Sequence, residues 1–148
     1  MPDNYDLLNE LESGVNLSEV DTDFPALAIC DVACHVDKIE TAENSKKTGH
    51  NLIIVFKTAE ERVSTKDQPV PAGYQITNWI SLVQTEKYDP RQNLANFQDA
   101  VLGTAQGSRP SFFPLEQYQG AEVNLRVKPE IDDNGVMRTR IVRFIKRG

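Results

Sequence analysis

Residues 120–148 decide the fold, and they read GAEVNLRVKPEIDDNGVMRTRIVRFIKRG. Apolar and polar side chains alternate along 121–127, and a spacing of two is that of a strand with one buried and one solvated face. Asn134-Gly135 comes after this strand and is the strongest short hairpin signal, because both residues tolerate the positive φ of a tight turn. The second half, 136–145, is again strand-like. The stretch therefore predicts a long β-hairpin, and its second strand carries only basic charges.

Three more strands are predicted upstream of this hairpin. The segment 25–39 has no single regular alternation, which indicates a long, bent strand that contains a bulge. The apolar residues of 51–57 are nearly continuous, as in a central strand, and 74–83 alternates again. The residues between them, 58–73, are charged and contain two prolines, so they are predicted to form a long loop.

After the third strand the periodicity changes to that of a helix. Asp89-Pro90 is a typical start signal and Gly103 a typical stop signal. Between them, apolar residues recur at helical spacing: Leu94, Phe97 and Val101. Three strands, a helix and two strands is the element order of the OB-fold, a small, partly open Greek-key barrel. We therefore predict a mainly β protein, a five-stranded OB-like barrel with the helix plugging one end. A generic α+β sandwich is the alternative.

The net charge of the 148-residue chain is −6, but the acids are concentrated at its start. Residues 1–30 contain seven acids and no base, and such a terminal block is typical of a solvated tail or an interaction arm. A short amphipathic helix is predicted there from Tyr5, Leu7, Leu8 and Leu11, and it ends at Ser13-Gly14. We divide the chain into an acidic N-terminal arm, 1–23, and a barrel domain, 24–148. The arm either frays in solvent or docks on a basic surface.

Several classes of function are not expected from this sequence. His35 and His50 belong to no catalytic motif, and no phosphate-binding glycine loop is present. Cys30 and Cys34 lie four residues apart on one strand face, about 13 Å, which is too far for a disulfide. They also lack the further ligands of a zinc site. We therefore expect no enzyme activity, metal or cofactor, and we expect small buried thiols in a reducing cytoplasm. No apolar run approaches the ~20 residues of a membrane span, and no signal peptide is recognisable.

Binding of single-stranded nucleic acid has more support. It needs cations along the path of the backbone and flat side chains for the bases. Trp79 falls on the polar face of its predicted strand, where it either stacks on bases or packs under a loop or in a subunit interface. The basic residues either follow a phosphate backbone or belong to an ordinary solvated ribbon. The candidate nucleic-acid-binding residues are Lys46, Lys47, Trp79, Arg126, Lys128, Arg138 and Arg140.

The chain also resembles a family of small bacteriophage proteins from DNA-replication gene clusters that bind single-stranded DNA through an OB-fold. The resemblance covers about residues 24–148 and consists of strand starts and glycines. Its features, in chain order, are the extended segment 24–39, Ser45-Lys46-Lys47-Thr48-Gly49 leading into 51–56, a helix ending near Gly103, the segment 118–123 (YQGAEV) and the segment 140–144 (RIVRF). Single-strand-binding proteins often carry their acids in a C-terminal tail, whereas this chain carries them in the N-terminal arm.

The resemblance implies non-enzymatic binding of single-stranded DNA in phage replication or recombination, in the bacterial host's cytoplasm and as a possible homo-oligomer. The alternative is a structural or adaptor protein, such as a virion component or a replication-complex scaffold. In that case the basic ribbon and the acidic arm contact other proteins. The surroundings of Trp79 separate the two: cations around it favour DNA, and apolar neighbours favour a protein partner.

Overall fold

The computed structural model describes residues 8–14 and 26–145, and it is mainly β. Its helices are α1 (Leu8–Glu12) and α2 (Pro90–Leu102), and a short 3-10 turn spans Leu115–Tyr118. Its strands are β1 (Cys30–Glu43), β2 (His50–Thr58), β3 (Arg62–Val63), β4 (Pro69–Val70), β5 (Gln75–Ser81), β6 (Glu122–Ile131) and β7 (Met137–Ile145). Within the described ranges, no helix has both the length and the hydropathy of a membrane span.

Five strands form one antiparallel sheet in the order β5-β2-β1-β6-β7. The mainly β class and the five-stranded sheet are thus confirmed. β3 and β4 form a separate small hairpin inside the segment that was predicted to be only a loop. β1 holds the sheet together, because its first half pairs with β6 and its second half pairs with β2.

The irregular alternation of β1 comes from a bulge, as predicted. Its register with β2 shifts between Val36 and Lys38, so Asp37 is the extra residue. Val32, Cys34 and Val36 are buried before the bulge, and Ile39 packs against the core after it. The inward positions therefore change from even to odd numbers at Asp37. The strand begins later than predicted, at Cys30, and Pro25 lies outside the described residues.

The turn between β6 and β7 is wider than the two-residue turn expected from Asn134-Gly135. Gly135 has a positive φ of 78°, whereas Asn134 does not. Instead, the carboxylate of Asp132 accepts hydrogen bonds from the backbone N–H groups of Asn134 (2.9 Å) and Val136 (3.0 Å). This side-chain-to-backbone bonding is the reason why Asp suits the position.

The prediction of a barrel was wrong in one respect, because the sheet is not closed. Its edges are β5 and β7, and they meet through side chains, as where the Tyr74 hydroxyl lies 2.9 Å from Thr139 Oγ1. The Phe97 ring of α2 packs between β2 and β7, with its ring centroid 6.2 Å from that of Phe56 and 5.4 Å from that of Phe144. Side-chain contacts, rather than a ladder of backbone hydrogen bonds, therefore connect the two edges.

α2 is fixed at both ends by residues recognisable in the sequence. The Asp89 carboxylate accepts a hydrogen bond from the backbone of Arg91, and Gly103 ends the helix with a left-handed φ of 71°. Within the helix, the buried Asp99 carboxylate accepts two hydrogen bonds of 2.8 Å from the guanidinium of Arg109, which follows the helix. These contacts tie the segment after α2 to the helix.

Cys30 and Cys34 are free thiols on the same face of β1. Cys34 is buried, and burial raises the pKa of its thiol to about 12. It is therefore protonated at neutral pH and behaves as a small apolar side chain.

Candidate nucleic-acid interface

Trp79 projects from the edge strand β5 into solvent. Ile76 and Ile80 of the same strand are buried in the core, whereas the Trp79 side chain is 62% exposed. This placement follows from the two-residue period of a strand, because odd-numbered positions of β5 face away from the core. The structure thus confirms that Trp79 lies on the opposite face from the apolar residues of its strand.

Two clefts lie between β5 and β7, one on each side of Trp79, and we call them together the β5–β7 groove. The first has a volume of about 520 Å³ and is lined by Asn78, Trp79, Ile80, Asn93, Asn96, Arg140, Ile141, Val142, Arg143 and Phe144. The second has a volume of about 920 Å³ and is lined by Tyr74, Gln75, Ile76, Thr77, Trp79, Val136, Met137, Arg138 and Thr139. Trp79 is common to both, and each cleft has at least one arginine on the β7 side.

A bulge in β7 aligns three arginines along this groove. Arg126 of β6 pairs with Arg143, but Val127 pairs with Ile141, so Val142 is an extra residue in β7. The bulge shifts Arg143 onto the face that already carries Arg138 and Arg140. Like charges consequently lie directly opposite each other in the ladder, at Arg126–Arg143 and Lys128–Arg140.

Carboxylates pair with most of these cations. Asp31 Oδ1 lies 2.7 Å from Arg126 Nε, Glu130 Oε2 lies 2.6 Å from Arg140 Nη1, and Asp132 Oδ2 lies 2.5 Å from Arg138 Nε. The hydrogen bond from Arg126 lowers the pKa of Asp31, and the hydrogen bond from Arg138 lowers the pKa of Asp132.

The cations on this part of the sheet nevertheless outnumber the carboxylates that pair with them. Lys128 and Arg140 share the Glu130 carboxylate, and Lys128 Nζ lies 4.0 Å from Glu130 Oε2. Arg143 forms no ion pair with any residue in the described ranges. The paired side chains are largely solvent-exposed, and exposed ion pairs contribute little to stability. An incoming anion can therefore replace Asp31 and Glu130 at small cost, whereas Asp132 is also held by two backbone hydrogen bonds of the turn.

The structure brings some of the predicted site residues together and leaves others apart. Trp79, Arg138 and Arg140 line the groove. Arg126 and Lys128 lie on the adjacent strand, opposite groove residues but outside the lining. The remaining two, Lys46 and Lys47, are exposed in the loop between β1 and β2 and do not line the groove.

Sequence reasoning missed several residues that line the smaller cleft. Arg143 is recognisable in the sequence as a basic residue, but simple alternation places it on the opposite face from Arg140. Only the bulge places it on the same face as Arg140. Asn93 and Asn96 of α2 carried no signal, because their position depends on how the helix packs against β5 and β7.

Within the described ranges, no three His, Cys, Asp or Glu side chains are grouped so that they could hold a metal ion. A scan against family models finds no match for this chain, and a search of curated proteins finds none either.

Proposed function

We propose that this protein binds single-stranded DNA without catalysis, in phage replication or recombination, and that the strand lies in the β5–β7 groove. The observation that carries the proposal is the position of Trp79: an exposed aromatic ring between two clefts, with Arg138 across one and Arg140 and Arg143 across the other. Single strands are bound by this combination of base stacking and cationic contacts to the backbone. A duplex offers no unstacked base to an exposed ring.

Electrostatics supports the same conclusion. Like charges directly opposite each other destabilise a strand pair, and β6 and β7 contain two such pairs. Among the described residues, each of these pairs has only one carboxylate beside it, Asp31 or Glu130, so a bound phosphate backbone would relieve the remaining repulsion. The net charge of −6 is compatible with binding, because the potential that a ligand meets is local, within a Debye length of ~8 Å at physiological salt.

The strand order supports an OB-like arrangement. In the order β5-β2-β1-β6-β7, with α2 between β5 and β6, the two edge strands are those that would meet if an OB-like barrel closed. The open groove between them would then be the place where the ligand lies. The relationship to phage single-strand-binding proteins is part of this proposal.

The test uses the only tryptophan of the chain as its own reporter. Titration with oligo-dT should quench the fluorescence of Trp79, because a base stacks on the ring. The logarithm of affinity should fall with the logarithm of salt, with a slope of about −2 if three arginines each contact a phosphate at ~0.7 per contact. A duplex of the same length should give much less quenching. If the protein shows no binding and no quenching at low salt, the proposal is refuted.

The acidic arm is expected to compete with DNA for the groove. The structure describes only residues 8–14 of this arm, 1–23. Its docking on the basic groove is a hypothesis based on charge, because seven acids and no base precede Asp31. A tethered segment has a high effective concentration, so even weak attraction competes with a ligand. Removal of residues 1–23 should tighten oligo-dT binding, most at low salt. Equal affinities of the full-length and truncated chains at low salt would contradict this role.

The second candidate is a structural or adaptor protein, either a virion component or a scaffold in a replication complex. The observation that favours it is another groove, of about 1080 Å³, lined in part by Ile39, Phe113, Pro114 and Leu115. Phe113 is 56% exposed there, and exposed aromatic side chains are typical of protein-contact surfaces. This candidate predicts stable binding of a protein partner and no binding of oligonucleotides.

A further inference from the structure

The smaller cleft beside Trp79 contains three asparagines. Asn78 belongs to β5, and Asn93 and Asn96 lie three residues apart on α2, so their side chains share one face of the helix. Asn78 occupies an inward position of its strand, like Ile76 and Ile80, but it is only half-buried because it faces this cleft. The cleft therefore brings together amide groups from β5 and α2, two elements that follow each other in the chain.

Two of these amides are available to a ligand. The Asn93 amide donates a hydrogen bond of 3.3 Å to the Tyr88 hydroxyl. The side chains of Asn78 and Asn96 form no hydrogen bond with any residue in the described ranges. Each amide offers a donor and an acceptor side by side, which is the pattern by which protein side chains read the edges of nucleobases.

The rest of the cleft fits one nucleotide. Its volume of about 520 Å³ lies within the ~300–1,000 Å³ of small-ligand pockets. Ile80, Ile141 and Phe144 supply an apolar floor, Trp79 supplies a flat wall, and Arg140 and Arg143 stand where a phosphate can be bound. The larger cleft on the other side of Trp79 has a single amide side chain in its lining, that of Gln75.

We infer that this cleft takes one unpaired nucleobase and that Asn78 and Asn96 hydrogen-bond to its edge, so that affinity depends on the identity of the base at this position. The inference rests on the proposed function and adds base selectivity to it. The three arginines and Trp79 hold any single strand, whereas the two amides distinguish one base from another.

The test compares the full-length wild-type chain with the double variant Asn78→Ala/Asn96→Ala. Affinities for short dT, dC and dA homo-oligomers are measured at one salt concentration, and for each oligomer the wild-type affinity is divided by that of the variant. Self-stacking of an oligomer cancels in this ratio, because it is the same for both proteins. We expect the ratios to differ between bases by about 2- to 13-fold, the effect of one net hydrogen bond. A repeat of the measurement at a second salt concentration should give the same salt dependence for both proteins, because the asparagine amides carry no charge.

Two controls keep the result interpretable. Gln92→Ala removes an exposed amide from α2 that does not line the cleft, and it should leave all affinities unchanged. Asn96→Ala alone places the best helix-forming residue at an exposed helical position, so it does not impair folding, and it should retain part of the base dependence. Equal ratios for all three homo-oligomers would overturn base reading while leaving the proposed function intact. Failure of the wild-type chain to bind any oligomer would overturn the proposed function itself.

Discussion

Trp79→Ala is expected to weaken binding of single-stranded oligonucleotides by about 5- to 150-fold, because stacking of one base on an aromatic ring is worth ~1–3 kcal/mol. The slope of log affinity against log salt should hardly change, since the indole carries no charge and its contact releases few counterions. The variant should fold normally, because a side chain that is 62% exposed leaves no internal cavity when it is removed. Fluorescence anisotropy of a labelled oligo-dT strand measures the affinity without the tryptophan signal.

Phe113→Ala is the matched control for this variant. Phe113 is an aromatic residue of similar exposure, 56%, but it lines the separate groove beside Ile39 and not the β5–β7 groove. Its removal should leave oligonucleotide affinity unchanged, and Trp79→Phe should restore part of the loss because a smaller ring still stacks. Equal losses for Trp79→Ala and Phe113→Ala would mean that DNA does not lie in the β5–β7 groove.

The features of this fold that depend on neighbours in the sequence could be predicted. Alternation along β5 assigned Trp79 to the solvated face and Ile76 and Ile80 to the core. The residues that begin and end α2, Asp89 and Gly103, are recognisable because their roles are local: a side-chain cap and a left-handed backbone conformation. The acidic turn at Asp132 is local in the same sense, although its bonding gives a wider turn than Asn134-Gly135 alone suggests.

Bulges cannot be located reliably from the alternation of apolar and polar residues alone. A bulge reverses which residues face the core, and its position depends on the partner strand as much as on the bulged strand. In β1 the disturbed alternation was visible, so a bulge was expected. In β7, by contrast, Arg140-Ile141-Val142-Arg143 gives no indication that Val142 is the extra residue. Arg143 can therefore be assigned to the site only from the pairing of β7 with β6.

Long-range contacts decide the rest of the site. Arg126 is held by Asp31, which is 95 residues away in the sequence, and no local pattern indicates this pair. The contact between the two sheet edges is also long-range, because Tyr74, just before β5, meets Thr139 of β7 across 65 residues of sequence. Fold class could thus be predicted from local patterns, whereas the shape of the groove and the pairing of its charges could not.

Replacing Arg138, Arg140 and Arg143 together by glutamine should weaken binding to oligo-dT about 100-fold at 0.1 M salt and reduce the salt slope by about 2. Both values follow from ~0.7 per lost phosphate contact with a single strand. The loss should be similar for dT and dC strands, because contacts to the backbone carry no sequence information. Affinities at four or more salt concentrations, measured for the variant and the wild type, give the slope directly.

Two further variants separate charge from other effects of the substitutions. The triple change to lysine keeps three positive charges, so most of the salt slope should remain even if the geometry of individual contacts is lost. Lys66→Gln/Lys87→Gln removes two cations from loops that do not line the β5–β7 groove, and its slope should equal that of the wild type. If the loop variant lost as much slope per charge as the arginine variant, binding would depend on net charge alone. If the arginine variant kept the wild-type slope, phosphates would not contact β7. The groove lined in part by Phe113 would then be the surface to examine for a protein partner.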